Sequence, residues 1–319
     1  MKLILSTILG ITVATSAMAR DTLQISGSST VLPFATIVAE AFGENFDFPT
    51  PIVEGGGSGA GRKRLCEGVG ESGIDIANSS SKMKDAEFEA CAANGVTDIK
   101  EVQFGYDGIV FASDVNGNTF DLTVKDLYLA LHESSTATKW NEVNPALPDQ
   151  AILALVPGTK HGTREVFDVK VMEAGCKEVL GVEKLDDDQK DSCVKTRTDG
   201  ALIDIDGDYT ETLARLAADT DAVGVFGLSF YQNNSDKLKV ATIGGVVPSV
   251  ETISSGDYPV SRPLFFYVKT QHIGVIPGLK EYVEFFVSDE MAGPGGELEA
   301  YGLVPDPNLA NIQADVSGL

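Results

Sequence analysis

Apolar residues in the first hundred positions alternate between two spacings, which predicts short strands followed by helices. Residues 22–26, 51–53 and 74–77 form short apolar runs of strand length. Residues 31–46 predict a helix, because one face carries Phe34, Ile37, Val38, Ala41 and Phe42. Further helices are expected over 62–67 and 85–93, the latter ended by Asn94 and Gly95. This α/β alternation favours a mixed or parallel sheet covered by helices.

The same alternation continues, with a new strand over 108–112, further elements over 121–131 and 151–156, and a strand over 223–230. An aromatic-rich strand over 263–268 precedes an amphipathic helix over 279–287. A chain of 319 residues exceeds what one hydrophobic core organises. We expect two lobes with crossings near 105–107 and 255–260. Lobe 1 would comprise 20–106 and 258–319, and lobe 2 would comprise 107–257.

The N-terminus has the pattern of a secretory signal peptide. Lys2 gives a positive start, an apolar run follows, and Ala17 and Ala19 form a small-residue cleavage site. The run is shorter than the roughly 20 residues that span a bilayer. We expect residues 1–19 to be removed and the product to be soluble in the periplasm.

Charge excludes one class of partner. The formal net charge is -23, so the surface should repel nucleic acid. It would also repel small anions at long range, but salt screens that field over roughly 8 to 10 Å. Any anion site must therefore be local and built from short-range donors.

Four cysteines in an exported chain indicate disulfides. The pairs Cys66 with Cys91 and Cys176 with Cys193 each enclose a helical stretch and stay within one part of the chain, although other pairings remain open. A metal site is not expected, because no Cys-x-x-Cys is present and the three histidines are scattered.

Candidate chemistry lies at four junctions, each a strand followed by a cluster of Ser, Thr and Gly and then a helix. Helix N-termini present free backbone N–H groups and a partial positive charge, hydroxyls add donors, and glycines let the backbone approach closely. Such clusters also serve as ordinary caps and loops. Four converging junctions would make an oxyanion cage; they span residues 26–31, 55–61, 78–81 and 158–164.

Seven motifs in order along the chain resemble the periplasmic phosphate-binding proteins of ABC transporters. They are Gly27-Ser28-Ser29-Thr30-Val31-Leu32-Pro33, Gly57-Ser58-Gly59-Ala60-Gly61, Ile74-Asp75-Ile76-Ala77-Asn78-Ser79-Ser80, His161-Gly162-Thr163-Arg164-Glu165-Val166-Phe167, Arg197-Thr198-Asp199-Gly200, Gly224-Val225-Phe226-Gly227 and Tyr258-Pro259-Val260-Ser261-Arg262-Pro263-Leu264. The resemblance implies a two-lobed type II periplasmic binding protein, with mixed sheets flanked by helices and a two-strand hinge. It would close on inorganic phosphate and deliver it to a membrane ABC permease, as a monomer without cofactor or catalysis.

The resemblance also implies the ligand-binding residues, which we expect to be Ser29, Thr30, Val31, Ser58, Ser80, His161, Gly162, Thr163 and Arg164. Two positions depart from the family pattern. Ser80 stands where well-known members have an aspartate that accepts the phosphate proton, so Asp75, Asp107 or Glu165 would have to supply that acceptor. Pro157 and His161 occupy the places of a common arginine and serine, and Arg164 matches a frequent variant able to bind an anion with two donors.

Rival interpretations remain. A cargo such as sulfate, molybdate or tungstate would use the same donors, and a soluble sensor would bind phosphate without a permease. The stretch 56–60 resembles a nucleophile elbow, but no histidine and acid are marked to complete a hydrolase. The acidic run 204–208 suggests calcium, yet Tyr209 and Arg215 replace the glycine and glutamate of a calcium loop.

Overall fold

The computed structural model describes residues 20–70, 72–158, 162–206 and 209–319. The strands are β1 (Gln24–Gly27), β2 (Ile52–Glu54), β3 (Ile76–Ser79), β4 (Ile99–Asp114), β5 (Asp121–Leu122), β6 (Ala154–Pro157), β7 (Leu202–Ile205), β8 (Val223–Gly227), β9 (Leu238–Val240), β10 (Thr242–Ile243), β11 (Ser261–Lys269) and β12 (Leu303–Pro305).

The α-helices are α1 (Leu32–Asn45), α2 (Ser58–Leu65), α3 (Asp85–Ala93), α4 (Val124–Leu131), α5 (Trp140–Val143), α6 (Gly162–Val166), α7 (Ala174–Leu180), α8 (Asp187–Cys193), α9 (Tyr209–Ala218), α10 (Leu228–Asn233), α11 (Val250–Ser254), α12 (Leu279–Phe286), α13 (Asp289–Ala292), α14 (Glu297–Ala300) and α15 (Leu309–Ser317). A π-helix (Phe167–Glu173) joins α6 to α7, and a 3-10 helix (Thr270–His272) follows β11.

Strand β4 joins the two halves of the sheet. In the first half, β1 pairs in parallel with β2 and β3, whereas β11 runs antiparallel to β3 and β4. In the second half, β4 runs antiparallel to β8, and β6 pairs in parallel with β7 and β8. The partner of β4 changes from β11 at Gly108 to β8 at Ile109. The mixed α/β architecture predicted from the sequence is confirmed.

Two large hydrophobic cores lie on either side of this change of partner. The first uses residues between 23 and 104 and between 264 and 316, with Phe42, Phe104, Phe266, Tyr282 and Phe286 at its centre. The second uses residues between 109 and 260 together with Val304, and is centred on Phe111, Trp140, Phe167, Phe226 and Tyr258. Each half therefore buries its own aromatic side chains.

Most predicted elements are present, and two differ for identifiable reasons. Helices α1, α3 and α12 lie within one residue of the predicted bounds. Helix α2 begins at Ser58 rather than Arg62, since Gly57 at φ 91° turns the chain directly into the helix. The apolar run 223–230 was predicted as one strand, which is wrong after Gly227, where α10 begins. A short apolar run cannot distinguish a buried strand from a buried helix.

Both predicted disulfides are confirmed. Cys66 is bonded to Cys91, linking the end of α2 to α3, and Cys176 is bonded to Cys193, linking α7 to α8. In the described part of the chain, every helix is too short or too polar to cross a membrane. The predicted signal peptide, residues 1–19, lies outside the described residues.

Candidate functional site

The first two junctions meet because glycines let α2 approach β1. A Cβ atom added to Gly61 would lie 2.5 Å from Gly27 Cα, so only glycine fits there. At the start of α1, the Val31 amide donates to Ser28 Oγ at 3.4 Å. Thr30 and Val31 are buried and Ser29 is exposed. Residues of both clusters therefore face the same end of the sheet.

The third junction joins the second through two serines. The Ser80 amide donates to Ser58 Oγ at 3.0 Å, and the two hydroxyl oxygens lie 3.2 Å apart. Arg62 of α2 holds the neighbouring loop by donating to Ser79 Oγ at 2.6 Å and to Glu87 at 2.8 Å. Helix α3 begins only at Asp85, so its N-terminus does not follow the serines directly. The donors at this junction are hydroxyls and loop amides.

Arg262 connects these junctions, and the sequence analysis did not select it. Its Nη2 donates to Thr30 Oγ1, and its Nη1 donates to Ser80 Oγ at 3.4 Å. It is 6% exposed at the start of β11, beside Asp107 of β4. The available signal was an arginine two residues after a predicted lobe crossing, within a motif already recognised. A cation in that position can face both lobes.

The fourth junction contributes from the second half of the sheet. Glu165 of α6 accepts a hydrogen bond from Thr30 Oγ1 at 2.7 Å and lies 3.8 Å from Arg262 Nη1. The hydroxyls of Thr163 and Tyr209 share a hydrogen bond. Gly162 begins α6. His161, the remaining predicted residue of this junction, lies outside the described residues.

Arg164 has carboxylate partners of its own. Its Nε donates to Asp168 at 2.8 Å and its Nη1 to Asp204 at 2.5 Å, and its guanidinium lies 5.7 Å from the Phe167 ring centroid. The structure thus brings Thr30, Ser58 and Ser80 together around Arg262 and directs two donors of Arg164 elsewhere. Asp204 belongs to the acidic run considered for calcium. Within the described ranges, no group of three or more His, Cys, Asp or Glu side chains is arranged to hold a metal ion.

A buried carboxyl lies behind these donors. The pKa of Asp107 is raised to about 6, mainly by burial and in smaller part by Glu165, against the opposing charges of Arg262 and Lys170. Asp107 is 7% exposed. Burial also raises the pKa of Tyr209 to about 12, so this hydroxyl stays protonated at neutral pH. The site therefore contains a carboxyl close to its protonation point beside a fixed cation.

Asp75, another expected acceptor, supports the fold instead. It is fully buried, and it accepts hydrogen bonds from Arg20 Nη2 at 2.6 Å and the Gln24 amide at 2.7 Å. His272 Nδ1 lies 2.6 Å from its Oδ1. His272 therefore contacts Asp75, whereas the described side-chain contacts of Ser58 are with Ser80. Ser58 and His272 do not form the nucleophile and base pair that a hydrolase would need. Of the three carboxyls expected from the sequence, Asp107 and Glu165 lie beside Arg262.

Two buried polar groups near the donors lack a partner. Arg262 Nε and the side-chain amide of Asn78, the residue before Ser79, make no hydrogen bond to the described part of the protein. An unsatisfied buried polar atom costs about 1 to 3 kcal/mol. Arg262 Nε and Asn78 Nδ2 are donors, and Asn78 Oδ1, which also lacks a partner, is an acceptor. The hydroxyl and guanidinium donors around Arg262 are suited to holding a small oxyanion.

Comparisons with known proteins agree with this geometry. A family model described as PBP superfamily domain matches residues 12–290. Protein SphX of Synechocystis is 29% identical over 311 residues, covering 95% of this chain and 84% of the relative. Phosphate-binding protein PstS of Staphylococcus haemolyticus is 28% identical over 288 residues, covering 88% and 80%.

A solved structure of a possible phosphate binding protein from Planctomyces limnophilus has a TM-score of 0.72 and 26% identity, covering 93% of this chain and 98% of that one. These matches confirm the resemblance to periplasmic phosphate-binding proteins that the motifs predicted, and with it the type II fold. Because the family model spans most of the sequence, the chain belongs to the PBP superfamily.

Proposed function

We propose that the protein is a periplasmic solute-binding protein that captures inorganic phosphate between two lobes and delivers it to an ABC permease. Its relative from Staphylococcus haemolyticus is a phosphate-binding protein by name, and the Planctomyces limnophilus structure is that of a possible phosphate binding protein, which supports phosphate as the ligand. The proposed lobes are residues 20–106 with 258–319, and 107–257. The two separate hydrophobic cores support this division, since each takes its residues almost entirely from one proposed lobe.

One observation carries the proposal: a carboxylate from one half already binds the donors of the other. Glu165 accepts from Thr30 and pairs with Arg262, although these residues are far apart in sequence. Carboxylate and phosphate oxygens use the same geometry with hydroxyl and guanidinium donors. A phosphate at this place would receive hydrogen bonds from Thr30, Ser58, Ser80 and Arg262.

The complete proposed site keeps the residues expected from the sequence and adds Arg262. These are Ser29, Thr30, Val31, Ser58, Ser80, His161, Gly162, Thr163 and Arg164. Charge-assisted hydrogen bonds contribute about 1.5 to 3 kcal/mol each, and burying an ion costs several kcal/mol. Several such bonds are needed for net affinity, and a site with donors from several junctions provides them. The proposal includes no catalytic step.

Asp107 is the proposed acceptor for the proton of hydrogen phosphate. It lies beside Arg262 across the β4–β11 pair and is buried. A carboxylate facing fully deprotonated sulfate would oppose lone pairs without a proton between them, which rejects sulfate. Phosphate is therefore favoured over sulfate, molybdate and tungstate, and Asp107 replaces the aspartate that Ser80 displaces from the family position.

The remaining parts of the proposal concern location and partner. Residues 1–19 would direct export to the periplasm and be removed, and the mature chain would act as a monomer that meets its permease at the membrane. Closing of two lobes around the anion would mark the loaded form for the permease.

Isothermal titration calorimetry of anion-stripped protein tests the cargo. Phosphate, sulfate and molybdate are each titrated alone at about pH 5 and about pH 8, and phosphate is titrated again in the presence of a tenfold excess of sulfate or molybdate. Phosphate should bind with sulfate and molybdate failing to compete at tenfold excess. Preferred binding of sulfate or molybdate would replace the cargo, and the absence of binding by all three would reject the proposal.

A further inference from the structure

A cavity of about 400 Å³ opens beside the hinge strands, next to the proposed phosphate site. Its lining includes Gln103, Tyr106, Lys170, Ser254, Tyr258 and Arg262. Arg262 belongs to both places, because its Nη atoms contact Thr30 and Ser80. A group bound in the cavity would therefore share a guanidinium with an anion at the phosphate site.

The cavity is lined by two cationic side chains, Lys170 and Arg262. The Lys170 ammonium makes neither a hydrogen bond nor an ion pair with the described residues, whereas Arg262 Nε, which also has no partner, is buried from solvent. Burial lowers the pKa of Lys170, and the charges of Arg262 and Lys177 lower it further, while Asp107 opposes the change. Lys170 lies in the π-helix that follows α6, five residues after Glu165. Single π-helical turns occur frequently at functional sites.

Neutral donors complete the lining. The Tyr106 hydroxyl accepts a hydrogen bond from Gln103 Nε2 at 2.9 Å, which leaves its own proton available to a ligand. The acidic groups nearby are Asp107, whose charge acts on Lys170, and Asp306, which accepts from Gln103 at 2.6 Å.

We propose that this hinge cavity is a subsite for a second acidic group, so that the protein also binds small phosphonates or phosphate esters that carry a carboxylate. The inference rests on the proposed phosphate site, which would hold the phosphoryl end. Lys170 and the Tyr106 hydroxyl would hold the carboxylate. One water occupies about 30 Å³ of liquid, so a cavity of about 400 Å³ has room for a carboxymethyl group and several waters.

Calorimetry with phosphonoacetate and inorganic phosphate tests this subsite. Wild-type protein should bind both, and Lys170→Met should weaken phosphonoacetate at least tenfold while phosphate changes less than threefold. Lys177→Met is the matched control, because Lys177 acts electrostatically on Lys170 but does not line the cavity. It should change neither ligand more than threefold. Tyr106→Phe, which keeps the ring, should weaken phosphonoacetate alone.

The outcomes separate the two proposals. Phosphate binding without phosphonoacetate binding would reject the subsite and leave the proposed function standing. If Lys170→Met weakened the binding of both ligands equally, the subsite would also be rejected, because Lys170 would then act only through its long-range electrostatic field. Failure of wild-type protein to bind phosphate would reject the proposed function. Thermal melts by circular dichroism establish that each variant is folded.

Discussion

Replacing Arg262 with methionine should weaken phosphate binding by about a hundredfold or more. Its guanidinium is buried and is directed at Thr30 and Ser80. Two charge-assisted bonds at the lower end of about 1.5 to 3 kcal/mol each amount to about 3 kcal/mol. Since about 1.4 kcal/mol is tenfold in affinity, the loss is at least a hundredfold. Methionine keeps most of the buried stem, so the strand should still pack.

Arg262→Lys and Arg164→Met provide the comparison for this experiment. Lysine keeps the charge but loses the planar fork of donors, so we expect an intermediate loss of about tenfold. Arg164 is equally buried, but two of its donors go to Asp168 and Asp204, so Arg164→Met should cost less than Arg262→Met. Titration calorimetry at one pH gives all three affinities. Unchanged affinity in folded Arg262→Met, or a larger loss in Arg164→Met, would refute the reasoning.

Two further predictions concern the carboxyls beside Arg262. Burial raises the folded-state pKa of Asp107 from 3.8 to about 6, so its ionised form costs stability above about pH 6, and this cost disappears below about pH 4. Asp107→Asn should therefore stabilise the anion-free protein by about 3 kcal/mol at pH 8 and by much less at pH 4, measured by urea unfolding; equal effects at both pH values would contradict this. Glu165→Gln should bind phosphate about tenfold more tightly at pH 8, because the anion no longer competes with a carboxylate for Thr30. Weaker binding would instead identify Glu165 as the proton acceptor.

Much of the fold followed from periodicity, and the exceptions show its limits. Helix α12 has a clear apolar face, and its bounds were predicted within one residue. The run 223–230 is apolar throughout, so its pattern carried no information on where β8 ends. Gly227 ends the strand in an extended conformation and becomes the N-cap of α10. Only packing of the second core distinguishes the two halves of this run.

The hydroxyl donors of the proposed site were easier to recognise from the sequence than its charged residues. Ser, Thr and Gly clusters between strands and helices indicated Thr30, Ser58 and Ser80, because such junctions gather at one edge of a sheet. Arg262 contacts Ser80, although the two residues are 182 positions apart in the sequence. Its position depends on the register of β11 against β4, which local patterns do not contain.

The choice among the acidic residues shows the same limit. Asp75 and Asp107 both lie in or beside predicted strands, so the local sequence pattern does not show which of them lies near the proposed site. In the structure, Asp75 is held by Arg20 and His272 in one lobe, whereas Asp107 lies at the change of sheet partner beside Arg262. Tertiary contacts therefore decide which carboxyl lies beside Arg262 and is available to the proposed ligand.

The contact between Glu165 and Thr30 also bears on how the carrier opens and closes. Because Glu165 satisfies Thr30 and approaches Arg262 across the cleft, a closed form without ligand keeps part of its interlobe hydrogen bonding. An incoming anion would then replace the Glu165 carboxylate as the acceptor for Thr30 and Arg262. The binding free energy would equal the difference between the interactions of these two acceptors with the same donors. A ligand shifts the closing equilibrium only by that difference. In the proposed site, the negative charge of Glu165 would therefore lower the affinity for phosphate while it keeps the empty donors paired. The buried Arg262, which contacts residues of both proposed lobes, would couple anion binding to closure.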